Sequence, residues 1–403
     1  MYNFINNIFQ GESMPISKAL LIADPDVYRN AEVIDLMHRA GFEVHLLSSS
    51  RYPKSYPNLH KFIYVSKPEL IPKVAINIFL DYKLVIAVGD IGINLIKNSS
   101  LSEIEKVKLL PITKKSSLKH LASKIGLSQV FFKHHISSPV FAIVKTKREL
   151  YHKINNIGLP ALLKIDFSGG GFGVFKLNCM ADIKLIPQHF FNHPLLLQKF
   201  IQGRLIDLSA FFLHTQLIHF SYSESLKTIH GPFGPSSLRR YFGYGLVDRR
   251  ISSELSQIGK ALGAHGFVNI GCIETKNNKR YYFEADMRPN AWINYPRFIH
   301  NDLAIKIKHY FLNHQSPDEL FDKKRLDKKT YIFPYPSRLH WKAIITNQYD
   351  CLKYINYSHM ILNALDKLIH YPYTNHLKVM AVIHLKPLLP NKLWQALKNI
   401  SLL

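Results

Sequence analysis

The stretch Lys164–Leu177, KIDFSGGGFGVFKL, sets Gly169, Gly170, Gly171 and Gly173 between two short apolar runs. That much backbone without side chains suits a tight turn, or a place where another group comes close to the chain. A Walker phosphate loop would continue through Gly-Lys-Ser/Thr into a helix, and a dinucleotide fingerprint would also open a helix. Here Gly173 is followed by Val174 and Phe175, which favour a strand, and the preceding ALLKID reads as a strand too. The pattern predicts a β-hairpin with Ser168, Gly169, Gly170, Gly171, Phe172 and Gly173 at its tip. Glycine amides at such a tip form a concave anion site, and Lys164 in the incoming strand adds positive charge beside it.

The flanking segments divide the chain into three parts. Residues 1–110 alternate apolar strands with helical patterns: ALLIA, then VYRNAEVIDLMHRAG, FEVHLLS, KFIYVS and KLVIAVGD. That is a small parallel α/β domain, with Asp24 and Asp90 at strand C-terminal ends, where open sheets place ligands. Residues 111–314 form an α+β unit. It contains a helix over KKSSLKHLASKIGLS ending at Gly126, the glycine hairpin, the strand PLLLQKF, two antiparallel strands, the helix SELSQIGKALGAHG and a second hairpin about KNNK. Residues 315–403 read as mostly helical, with basic amphipathic stretches that pack on the domain or touch an anionic membrane surface.

Composition narrows the setting. With 47% hydrophobic and 20% charged residues among 403, the chain has ample material for a core, so it reads as globular and soluble. Cys179, Cys272 and Cys351 are too far apart for a disulfide framework or a metal motif, which suits a reducing, cytoplasmic setting. No signal-peptide pattern opens the sequence, and no apolar run has membrane-spanning length. The net charge of +24 favours anionic partners. Its lysines and arginines are scattered, however, and RNA-reading aromatics at motif spacing are absent, so nucleic acid is not the expected partner.

In order, the segments KK…LASKIGLS, ALLKIDFSGGGFGV, LLLQKFIQG, GKALGAHGFVNIGCIE and YYFEADMRPNAW resemble the ATP-grasp superfamily over roughly residues 110–310. Its members include the carboxylate–amine and carboxylate–thiol ligases and the carbamoyl-phosphate-synthase type. The resemblance implies an α/β N-terminal domain followed by two α+β subdomains that clamp ATP. It implies that Lys164 and Lys115 contact the nucleotide phosphates. The adenine would be held along Gln198, Lys199, Phe200 and Ile201, largely by backbone groups, and Asp207 would stand in for a ribose-binding acid. Glu284 and Asp286 match the metal-binding pair, with Asp in place of the usual asparagine, and Arg288 matches the arginine that stabilises the transferring phosphoryl group. Two residues apart on a strand, both carboxylates share a face and can reach Mg²⁺, or Mn²⁺ in its place.

One departure stands out. The acid that the family usually carries on the partner strand falls here at Gly271 or Cys272, so Glu274 is the remaining candidate for a third metal ligand. Arg239, Arg240 and Asn290 are candidates for holding a substrate carboxylate. The implied activity is ATP-dependent phosphorylation of a carboxylate to an acyl phosphate, followed by attack of an amine or thiol and release of ADP and phosphate. The missing acid keeps open a non-catalytic nucleotide-binding protein, and the basic surface keeps open an enzyme that adds amino acids to a macromolecule.

Overall fold

The structure is a computed structural model that describes residues 17–23, 27–50, 56, 58–312 and 328–334. Asp24 and almost all of the expected helical C-terminal region lie outside those residues.

The N-terminal domain contains β1 (Lys18–Ile22), α1 (Val27–Arg39), β2 (Glu43–Ser48), β3 (Lys61–Tyr64), α2 (Ile71–Ile78), β4 (Leu84–Ala87), α3 (Asp90–Lys97) and α4 (Glu103–Leu109). Its strands form one parallel sheet in the order β3-β2-β1-β4. The apolar strand sequences follow from cover on both faces. Ala19 and Leu21 pack with Val33 and Met37 of α1, whereas Leu20 and Ile22 pack with Ile93 and Ile96 of α3. Asp90 therefore opens α3 just past the C-terminal end of β4.

The second unit begins with α5 (Lys124–Lys133), β5 (Phe141–Val144), α6 (Lys147–Ile157), β6 (Ala161–Ile165), β7 (Val174–Leu177) and β8 (Leu195–Lys199). These strands form an antiparallel sheet in the order β5-β8-β6-β7, with the glycine hairpin joining β6 to β7. Ala161 and Leu163 face a core shared with α6, which turns Leu162 and Lys164 to the opposite side.

A larger sheet follows, built from β9 (Arg204–Leu213), β10 (Gln216–Thr228), β11 (Ser236–Phe242), β12 (Gly266–Glu274) and β13 (Arg280–Asp286), with α7 (Arg250–Leu262) between β11 and β12. After α8 (Leu303–Leu312), β14 (Thr330–Pro334) adds an edge strand, giving the order β13-β12-β9-β10-β11-β14. Residues 330–334 are thus strand rather than helix, and they extend the sheet of the preceding unit. Ile251, Leu255, Ile258 and Leu262 recur at helical spacing on α7 and pack in one core with Ile206, Leu208, Ala210 and Phe212. The other face buries Phe211, Leu213 and Phe267 against the N-terminal domain and carries the polar side chains Asp207, Ser209 and Asn269 farther along the strands.

One expected helix is broken. Lys115–Lys119 is a short 3-10 turn, and α5 starts only at Lys124, after Ser123 has accepted a hydrogen bond from the Gly126 amide at 2.9 Å. Gly126 lies in the first turn of α5 instead of ending a helix. A side chain there would collide with the backbone of Lys119 and His120, so glycine is required by packing.

Candidate active site

The charged cleft is assembled from both sheets and the N-terminal domain. On β6, Lys164 is only 6% exposed; its Nζ donates to Gln198 Oε1 at 2.7 Å and lies 4.9 Å from the Phe283 ring centre. Burial, and after it the neighbouring Lys124, pushes Lys164 down to about 8, while Glu284 opposes the shift. Gln198 is anchored in turn, its Nε2 donating to Ser128 Oγ at 3.2 Å. Gln198 thus works through its side chain, as the clamp on Lys164.

The second lysine of the cleft is Lys124, which the sequence reading missed. Its Nζ donates to the carbonyls of Asp166 and Ser168 and to Ser168 Oγ, which ties the start of α5 to the base of the glycine hairpin. Asp166 holds that helix start, accepting from the Ile125 amide at 2.8 Å and from Ser123 Oγ. Glu284 and Asp286 both act electrostatically on Lys124. Lys115, by contrast, is exposed, in a turn docked on the end of α7 through Ser117 Oγ and the Leu262 carbonyl. The early start expected for α5 misplaced this lysine by nine positions.

Strand register explains which acids meet. Across the large sheet Asp207, Gly271 and Glu284 form one row, and Ser209, Asn269 and Asp286 form the next. All six positions share the cleft face. Glu284 is half-buried and pushed up to about 7, first by desolvation and then by the charges of Asp286 and Asp207. Asp286 is raised as well, chiefly by desolvation, with Arg288 opposing. Asp207 therefore stands at the carboxylate end of the cleft, across Gly271 from Glu284, and not beside the linker where a ribose-binding acid was expected. Its Oδ2 pairs with Arg239 at 2.8 Å.

Glu274 is a correction. A register shift between Gly271 and Cys272 leaves it on the face opposite Glu284. There it is buried, paired with Arg204 and with Arg280 at 3.2 Å, and it accepts from Tyr222 Oη at 3.1 Å. It is a structural charge, walled off from the cleft by the sheet itself. Arg240 is also on that far face, paired with Glu224 at 3.3 Å, so only Arg239 of the two candidate arginines faces the cleft.

Arg288 joins the domains. Its Nε donates to Asp90 Oδ1 at 2.7 Å and its Nη2 to Asp286 Oδ2 at 2.9 Å. Asn290 is a brace, with its Nδ2 donating to Asn269 Oδ1 at 2.6 Å and to Ser209 Oγ. In the linker, the amides of Lys199 and Phe200 already donate to the Val140 and Pro160 carbonyls, so neither can serve an adenine. Of the backbone donors expected there, Ile201 is the remaining one. Over the cleft, Gly171 has φ +81, and a Cβ there would overlap the Phe233 carbonyl, so the hairpin tip rests against the 229–235 turn through bare backbone. Gly169, Gly170, Phe172 and Gly173 complete this tip, with the Phe172 side chain 70% exposed.

No protein-family model matches the chain. A D-alanine–D-alanine ligase from Nitrosomonas eutropha is 25% identical over 162 residues, 38% of this chain and 52% of that protein. One from Bordetella petrii is 24% identical over 180 residues, 41% of this chain and 54% of that protein. The chain spans about half the length of these curated relatives. An L-amino acid ligase from Bacillus licheniformis superposes with a TM-score of 0.57 at 13% identity, over 79% of this chain and 80% of that one. N5-carboxyaminoimidazole synthetase from Staphylococcus aureus, solved with ADP, gives 0.56 at 13% identity, over 84% and 86%. The fold is the ATP-grasp fold.

The small antiparallel sheet with its glycine hairpin and the six-stranded sheet face each other, with Lys164 beside Phe283 and Gly171 against Phe233. The cleft between them holds Lys124, Lys164, Glu284, Asp286 and Arg288. Among the described residues, no three acids, histidines or cysteines gather closely enough to hold a metal ion unaided.

Proposed function

We propose that this protein is an ATP-dependent ligase that phosphorylates a carboxylate and couples it to an amine or, less commonly, a thiol. The observation that carries this reading is the convergence of a buried and a half-buried lysine with two half-buried carboxylates beneath a glycine hairpin. Lys124 and Lys164 offset the triphosphate charge, and the amides of the hairpin tip add donors at close range. Glu284 and Asp286 would hold Mg²⁺, which when bound neutralises phosphate charge and orients the terminal phosphoryl group. Their upward shifts fit that role, since desolvated carboxylates lacking full compensation favour a cation. Arg288 is positioned by Asp90 and Asp286 to stabilise charge on the transferring group.

The chemistry then needs position more than reactive side chains. A substrate carboxylate oxygen attacks the γ-phosphorus, the bond to the β–γ bridging oxygen breaks, and ADP leaves. The acceptor attacks the resulting acyl phosphate, loses its proton, and phosphate departs. Gly271 leaves the partner strand without an acid and Glu274 does not replace it, which is the observation favouring a non-catalytic nucleotide-binding protein. Supplying Mg²⁺-ATP with a metabolite pool separates the two readings. Release of ADP and phosphate that depends on the pool supports the ligase; nucleotide binding with no turnover supports the alternative.

A further inference from the structure

The contacts of Arg239 engage only part of its buried guanidinium. The residue lies on β11, is 5% exposed, and its guanidinium carbon sits 4.8 Å from the centre of the Trp292 ring. One nitrogen, Nη2, pairs with Asp207. The other two, Nε and Nη1, are buried and make no hydrogen bond of good geometry among the described residues, although the Tyr241 hydroxyl lies beside the guanidinium. A guanidinium presents its donors in a flat fork, and leaving two edges unmatched away from water costs far more than an exposed arginine would. Such a group calls for an explanation, and a missing ligand is the one its surroundings support.

Three features define that ligand. The face is polar over adjacent rows: Asp207, Ser223 and Tyr241 share one row, and Ser209 and Ser221 share the next. Ser221 Oγ, 1% exposed in residue terms, is likewise buried without a partner among the described residues. Burial holds the Tyr241 phenol well above its usual range, so it stays neutral beside Arg239. The Trp292 ring flattens one side of the guanidinium and selects for a planar partner in its plane. Asp207, which holds the guanidinium, lies on β9, two strands or roughly 10 Å from β13, so this seat adjoins the Glu284 and Asp286 end of the cleft without coinciding with it.

We infer that Arg239, held by Asp207 and backed by Trp292, seats a planar carboxylate-type oxyanion of the substrate, distinct from the nucleotide triphosphate. This deepens the ligase reading by naming the arginine that holds the substrate. Arg240, its neighbour in sequence, takes no part, because it points to the other face and is paired with Glu224.

The test uses the whole chain without nucleotide. Thermal midpoints are followed against acetate and, separately, bicarbonate, with chloride at equal ionic strength as the reference; the two arms tell an organic carboxylate from a carbonate-type ligand. At least one anion should raise the midpoint of the wild type in a saturable way. Arg239→Met should weaken its apparent affinity at least tenfold, and Arg240→Met should change it less than twofold. If Arg239→Met misfolds because Asp207 loses its partner, the neutral pair Asp207→Asn with Arg239→Met carries the same comparison. A wild type indifferent to both anions, or equal responses in wild type and Arg239 variants, overturns the proposal. Calorimetry with ADP and Mg²⁺ is run alongside. Unchanged ADP affinity in Arg239→Met supports a separate seat, and its loss overturns it. Failure of the wild type to bind ADP would instead count against the nucleotide reading and leave the anion result standing.

Discussion

Arg288 Nε donates to Asp90 Oδ1 at 2.7 Å, which ties the segment just after β13 to the first turn of α3 in the N-terminal domain. The two residues are 198 positions apart in sequence, and the pair places an arginine between a domain boundary and Asp286. Asp90 is half exposed, so it guides Arg288 more than it stabilises the fold. Asp90→Asn should therefore lower turnover a few-fold with little change in melting temperature. Arg288→Ala should lower it by about 100-fold or more, as the loss of the proposed transition-state donor requires. Equal effects of the two substitutions on rate would refute this division of roles.

The two lysine assignments separate cleanly. Lys124→Ala removes a charge that faces Glu284 and Asp286 and also releases the base of the glycine hairpin. It should weaken ADP affinity about tenfold or more, roughly 1.4 kcal/mol. Lys115→Ala, on an exposed turn, should stay within about twofold. Isothermal titration of both variants decides, and the reverse ranking would return Lys115 to the site.

Glu284 makes stability fall as pH rises. Its folded value of about 7 lies above the ordinary carboxylate value, so between about pH 4.5 and 7 the folded protein keeps a proton that the unfolded chain has lost. Each unit of such a shift is worth about 1.4 kcal/mol. Without nucleotide, Glu284→Gln should melt higher than wild type at pH 8, and the gain should shrink toward zero near pH 4.5. Metal-dependent ADP binding should weaken in the same variant. A constant melting difference across this range would remove the titration from the account.

Glu274→Gln should behave in the opposite way. It breaks a buried network with Arg204, Arg280 and Tyr222, at a cost of about 3 kcal/mol. The Mg²⁺ dependence of ADP binding should be untouched, because the side chain is on the far face of the sheet. Loss of metal dependence at unchanged stability would place Glu274 back among the ligands.

Local spacing made much of this architecture legible. The alternation of Glu284 and Asp286 on one strand face needs only the two-residue period of a strand, and the glycine hairpin follows from Val174 and Phe175 after Gly173. The errors came where one local signal had two meanings. Gly126 reads as a helix stop, yet it lies in the first turn of α5 because the chain packs on the Lys119 backbone; Ser123 as an N-cap was the signal that would have revealed Lys124. Glu274 was misjudged because a shift at Gly271 and Cys272 resets parity only in three dimensions. The pairing of Asp207 with Arg239 depends on two strands lying side by side with a third between them, and no sequence spacing encodes it.

Trapping of the activated carboxylate tests the central claim most directly. The protein is incubated with Mg²⁺-ATP, a pool of carboxylic acids and hydroxylamine, and hydroxamate and ADP are measured together. The account predicts that both form in equal amounts only when acids are present, and that neither accumulates with Glu284→Gln. Binding of Mg²⁺-ATP by the wild type with no hydroxamate and no ADP from any acid would contradict it.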